Sequence, residues 1–117
     1  MSIQKYATAL TLSILSLFAA NAVNAQVVSE TKFAKQANVK VFVTTYIGDA
    51  DVVVFKTPFI KNAYGNKGQW YITTASGEAN KTICYVPSKE VADIVVMFTP
   101  DSKQAGWKNK KKKHFLD

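Results

Sequence analysis

The feature that most constrains this chain is a short unit repeated along it. Aligned on a central alanine, it recurs at Ala50, Ala63, Ala79, Ala92 and Ala105, in steps of 13, 16, 13 and 13 residues. The clearest copy covers residues 42–55, Phe-Val-Thr-Thr-Tyr-Ile-Gly-Asp-Ala-Asp-Val-Val-Val-Phe. Its first half alternates apolar and polar residues, its middle carries the Gly and Asp of a turn, and its second half is a β-branched run. Such a run suits a strand buried on both faces. A period near 13 is too short for helical solenoids or propeller blades and fits one strand plus one turn.

The unit predicts an all-β, compact single domain of five quasi-repeats of about 13 residues. Tyr46-Ile47-Gly48-Asp49-Ala50-Asp51 is expected to reverse the chain. The position six residues before each alanine holds Thr44, Thr57, Thr73, Val86 and Thr99, followed by Pro in three copies and Thr in two. Proline there ends a strand, because it cannot donate to the ladder. The one longer step contains Gly65-Asn66-Lys67-Gly68, a turn-prone insertion. Alanine at the corner is expected because a larger side chain would collide with the neighbouring copy.

Before the repeat, residues 1–25 read as a secretory signal peptide. Lys5 supplies a positive start and residues 7–20 an apolar stretch too short to span a bilayer. Val23-Asn24-Ala25 puts small residues where a signal peptidase inspects them, which places Gln26 at the new N-terminus; Ala20-Asn21-Ala22 is a second candidate. The protein is therefore expected to be exported, periplasmic or secreted. Residues 26–38 are polar and weakly periodic and read as a lead-in or linker, leaving 39–117 as the repeat domain with a Lys-rich C-terminal segment.

The aromatic–Val–Thr…Ala-Asp…Val–Val–aromatic unit and the closing Ala105-Gly106-Trp107-Lys108-Asn109…Lys113-His114 resemble the septoil-knot family of small bacterial and viral β-domains. The resemblance spans about residues 39–116. It implies a monomeric domain whose backbone is deeply knotted, of unknown function and without known catalytic residues. Ala63-Tyr64 and Ala79-Asn80 depart from the Ala-Asp that the family favours.

Charge and cysteine content narrow the chemistry. All 15 basic residues are Lys, against 8 acidic residues, for a net charge of +7. Lysines act as point charges, suited to loose polyanion attraction and not to the bidentate readout that Arg provides. No specific nucleic-acid partner is expected. Cys84 is the only cysteine and His114 the only histidine, so an intramolecular disulfide and a Cys/His zinc site are excluded. No cofactor is expected.

Three constellations remain. Cys84 with His114 has the composition of a nucleophile–base pair, but Cys84 occupies a core-type strand position and reads better as an inert thiol. Asp49, Asp51, Asp93, Glu78 and Glu90 lie in turns, where carboxylates cap backbone N–H groups; no complete calcium-loop pattern surrounds them. Lys108, Lys110, Lys111, Lys112, Lys113 and His114 form the one concentrated charge, readable as a contact for an anionic envelope surface or polysaccharide, or as a solvated tail that blocks edge pairing. Trp107, Trp70, Tyr71 and Tyr85 are either a stacking platform beside it or core. Asn80-Lys81-Thr82 fits the N-glycosylation pattern. The sequence reads best as a non-enzymatic structural or interaction module, since no nucleophile–base–orienter set or metal spacing is present.

Overall fold

The computed structural model describes residues 25–117; the leader expected over residues 1–25 lies outside them except for Ala25. Seven strands alternate with short 3-10 turns: β1 (Val27–Glu30), β2 (Val39–Val43), β3 (Val52–Lys56), β4 (Gln69–Ile72), β5 (Lys81–Tyr85), β6 (Ile94–Phe98) and β7 (Gly106–Trp107). The first six form a parallel barrel in the order β4-β1-β5-β2-β6-β3, closed by pairing of β3 with β4, and β7 adds antiparallel to β3. Outside the strands the described residues form short 3-10 turns, bends and irregular connections, with no α-helix among them.

Register explains how parallel strands manage with such short connections. Val43 at the end of β2 and Val52 at the start of β3 both pair with Val96 of β6. Likewise Glu30 and Val39 both pair with Ile83 of β5. Each strand is so staggered that the next begins at the level where it ends. A parallel connection ordinarily needs a dozen or more residues to return along the sheet. Here residues 44–51 need only step over one intervening strand, roughly 10 Å at two inter-strand spacings. The turns therefore carry the chain sideways and do not reverse it, contrary to the expectation for 46–51: β2 and β3 both run parallel to β6.

Consecutive strands lie two places apart around the barrel, so β1–β3 make a first lap and β4–β6 fill the gaps on a second. The exception is β3 to β4, which are neighbours. That single irregular step coincides with the insertion at 65–68, where Gly65 (φ 88°), Asn66 (φ 50°) and Gly68 (φ 90°) adopt left-handed conformations.

The repeat is built from two side-chain devices. Thr31, Thr44, Thr57, Thr73 and Thr99 each accept, on Oγ1, the N–H of the residue two positions on, at 3.0–3.2 Å, which folds the chain into the 3-10 turn. Val86 has no such oxygen, and the 3-10 turn Lys89–Val91 forms there without it. After the turn, Asn38, Asp51, Asn80 and Asp93 each clamp one residue of the neighbouring strand. Their N–H donates to the carbonyl of Thr82, Val95, Val27 and Lys40 respectively. Their side-chain oxygen accepts the N–H of the same residue. The side chain thus stands in for a backbone carbonyl and starts each ladder.

These devices revise two expectations. Residues 26–38 are not a lead-in: β1 lies between β4 and β5, with Ser29 Oγ 2.9 Å from Thr82 Oγ1 and buried. The copies also number more than five. Thr31, Phe33, Ala37 and Asn38 repeat the pattern of Thr44, Tyr46, Ala50 and Asp51, and a further 3-10 turn, Lys110–Leu116, closes the chain. Ala50, Ala79, Ala92 and Ala105 sit at the same C-terminal corner of their turns, in extended conformation with N–H bonded three residues back. Ala37 does the same. Ala63 is displaced, as the last residue of a longer turn whose corner is Tyr64, and it is fully buried.

The barrel interior takes every second residue: Val28, Val39, Val41, Val52, Val54, Trp70, Ile83, Ile94 and Val96, with Leu116 at one end. The outward Val53, Cys84 and Val95 are buried too. Tyr85 Oη bonds Glu30 across the β1–β5 pair. Although its ring is partly open to solvent, desolvation of the hydroxyl raises its pKa most, followed by the hydrogen bond to Glu30 and that carboxylate's charge. Because the folded value lies above the unfolded one of about 10, the group stabilises the fold fully below pH 10 and that contribution fades as pH rises through the folded value. In a spectrophotometric titration Tyr85 is expected to ionise above the ordinary tyrosine range, and Glu30→Gln to lower it only part of the way, because the desolvation remains.

Candidate functional site

The C-terminal segment is locked to the barrel by one aspartate. Asp51, nearly buried, clamps Val95 with its Oδ2 while its Oδ1 accepts from Asn109 Nδ2 at 3.1 Å. Its carbonyl accepts both Lys108 N–H and Asn109 N–H, at 2.8 and 2.9 Å. Asn109 Oδ1 in turn accepts Lys111 N–H and starts the turn Lys110–Leu116. Leu116 is fully buried and its carbonyl receives Gln26 Nε2 at 2.8 Å. The lysine run is therefore a folded end piece of the barrel and not a loose tail. Asp51→Ala removes acceptors for Val95 and Asn109 together and is expected to cost about 2–3 kcal/mol, whereas Asp51→Asn keeps one side-chain acceptor and costs less. Urea denaturation of both variants checks this.

The insertion at 65–68 meets this end piece. Asn66, buried, donates through Nδ2 to Lys113 O (3.2 Å) and Asp117 Oδ1 (2.9 Å). Its own carbonyl and Oδ1 accept Trp107 Nε1–H at 3.1 and 3.0 Å. These bonds frame a cleft of about 370 Å³ lined by Asn66, Lys67, Gly106, Trp107, Lys110 and Lys113, with Ala105 beside them. Gly106 has φ 155° and open space where a Cβ would stand. None of Lys67, Lys110 and Lys113 forms an ion pair among the described residues.

The predicted basic cluster is thereby divided. Lys110 and Lys113 line the cleft. Lys108 Nζ is held by Ile47 O at 2.6 Å, and Lys112 Nζ by Asp93 O at 3.1 Å with Asp51 at 3.9 Å. Lys111 is exposed. His114 has Nδ1 2.9 Å from Lys111 O and its ring against Phe115 at 4.3 Å. Sequence reasoning missed Lys67 and Asn66; their place in the insertion was visible, but not what the insertion faces.

The other constellations are not assembled. Cys84 is buried with Sγ 3.6 Å from Tyr85 O, whereas exposed His114 engages only Lys111 and Phe115. Asp51 and Asp93 are committed to strand N–H groups, and Asp49 pairs with Lys89 at 3.6 Å. No group of three His, Cys, Asp or Glu able to hold a metal occurs among the described residues. Of the aromatics grouped above, Trp70 is core, Tyr85 holds Glu30, and Trp107 alone lines the cleft.

The fold is a parallel barrel of staggered strand–turn units. The sequence profile described as the 7(1) septoil knot domain matches residues 24–108, and the chain belongs to that family. No curated protein and no solved structure matches the chain.

Proposed function

We propose that this protein is an exported, non-enzymatic interaction domain that binds anionic polymers, such as an acidic envelope polysaccharide, through the cleft at Lys67, Lys110 and Lys113. The observation that carries the reading is three lysines with no ion-pair partner among the described residues around one opening that has an indole in its wall. Net positive charge and an all-lysine basic set suit a polymer recognised by charge density. Export rests on the leader read in residues 1–25 and on the single, unpaired cysteine being buried.

Dextran sulfate and polygalacturonate are suitable probes in titration calorimetry at low and moderate salt. Binding is expected to weaken with rising salt. At about 1 kcal/mol per lysine near an anionic surface, the triple variant Lys67→Gln, Lys110→Gln, Lys113→Gln should lose on the order of a hundredfold in affinity. Lys32→Gln with Lys35→Gln, remote in the first turn, should change little. Unaltered binding by the triple variant, or none by the parent, would discard the assignment.

A further inference from the structure

The two candidate cleavage positions, after Ala22 and after Ala25, have different consequences for the fold. Ala25 is 4% exposed and forms an antiparallel bridge with Tyr64, the corner of the turn that ends the first lap. Gln26 is 1% exposed; its backbone N–H donates to Ala63 O at 2.8 Å and its Nε2 to Leu116 O at 2.8 Å. Gln26 thus clasps both the lap change and the C-terminal end piece.

A chain beginning at Gln26 disturbs each of these contacts. Its α-amino group, ordinarily protonated near neutral pH, would put a charge in the buried position where an amide N–H now meets Ala63 O. The alternative for an N-terminal glutamine is cyclisation: the α-nitrogen attacks the side-chain amide carbon and ammonia leaves. That ammonia carries away the Nε2 that holds Leu116 O. Either way the Ala25 bridge is gone. Beginning at Val23 keeps Ala25 in its bridge and Gln26 as an ordinary amide, with the new ammonium three residues upstream. The family match independently begins at residue 24 and so includes Ala25 in the domain. Ala20-Asn21-Ala22 also supplies alanine at both inspected positions, where the later site offers valine at one.

We infer that processing occurs at the Ala22–Val23 bond, so that the mature domain starts at Val23 and retains Ala25 as a structural residue. Water hydrolyses that bond, leaving the carboxylate on the leader and the amine on Val23. The inference rests on the export reading, and intact-mass spectrometry of the full chain expressed with its own leader and recovered from outside the cytoplasm separates the two. A product starting at Val23 supports it. A product starting at Gln26, free or cyclised, or an unprocessed chain found outside the cytoplasm, overturns it while leaving export standing, and an unprocessed chain retained wholly in the cytoplasm overturns both. As a second readout, refolded chains starting at Val23 and at Gln26 are compared by thermal unfolding. The shorter chain is expected to melt lower by at least about 5 °C; equal or higher melting would show that Ala25 is dispensable and would sink the structural argument.

Discussion

Replacing Gly68 by alanine is expected to destabilise the domain by roughly 2–5 kcal/mol, summing an overpacking cost and a left-handed-backbone cost. Gly68 has φ 90°, and a Cβ there would lie 2.5 Å from Gly106 N, 2.7 Å from Val53 O and 3.0 Å from Gly106 Cα. All three are backbone atoms, so no side chain can swing aside. The location explains the crowding. The first half of β3 pairs with β7 and its second half with β4, and Gly68 sits where one partner gives way to the other. Its carbonyl already accepts Phe55 N–H at 2.9 Å, which leaves little freedom to shift. Against a total stability of about 5–15 kcal/mol this is a large share, and the urea midpoint should fall by about 2 M. Gly77→Ala is the control, since nothing lies within 4 Å of its added Cβ. A Gly68→Ala midpoint close to that of Gly77→Ala would mean the junction is looser than its geometry states.

Much of the barrel was legible because its two signals are local. Alternation in Val39-Lys40-Val41 marks an inward face, and threonine followed six residues later by alanine marks a turn that one hydroxyl can form. What was not legible depends on pairing between distant residues. Nothing within 44–51 distinguishes a reversal from a sideways step; that is decided by Val96, which pairs with both Val43 and Val52. The first copy escaped notice because β1 ends in Ser29 and Glu30, polar residues whose partners, Thr82 and Tyr85, lie more than fifty positions away. Phe33 is exposed, so it added no apolar period either.

The candidate site divides in the same way. Its charge is plain in the lysine run, yet which lysines are free depends on Asn109 finding Asp51, 58 residues upstream. That contact sets the turn's direction and turns Lys110 and Lys113 toward Asn66, while Lys108 and Lys112 are drawn onto Ile47 and Asp93. Lys67 joins them only because the second lap starts beside the C-terminus. The insertion thus serves the fold and the cleft at once: the change of lap requires extra residues, and those residues supply one wall of the opening.

Trp70→Ala is expected to cost about 3–5 kcal/mol, the range for truncating a buried large aromatic. The other fully buried strand residues of the core are valine and isoleucine, so Trp70 supplies its largest side chain, with Phe98 partly buried against it. Trp70 is fully buried and meets the Phe98 ring edge-on at 6.1 Å and 83°. Truncation leaves a cavity that the staggered, doubly interleaved strands cannot close without moving several ladders together. Trp70→Phe should behave differently. Trp70 Nε1 is buried without an acceptor among the described residues, so the tryptophan carries a desolvation cost of about 1–3 kcal/mol that phenylalanine does not. That saving opposes the smaller loss of volume, and the net change should stay below about 1.5 kcal/mol. Thermal or urea unfolding of the two variants side by side tests the point. If phenylalanine proves as damaging as alanine, the indole N–H is contributing a bond, and the core is held by polarity as well as by volume.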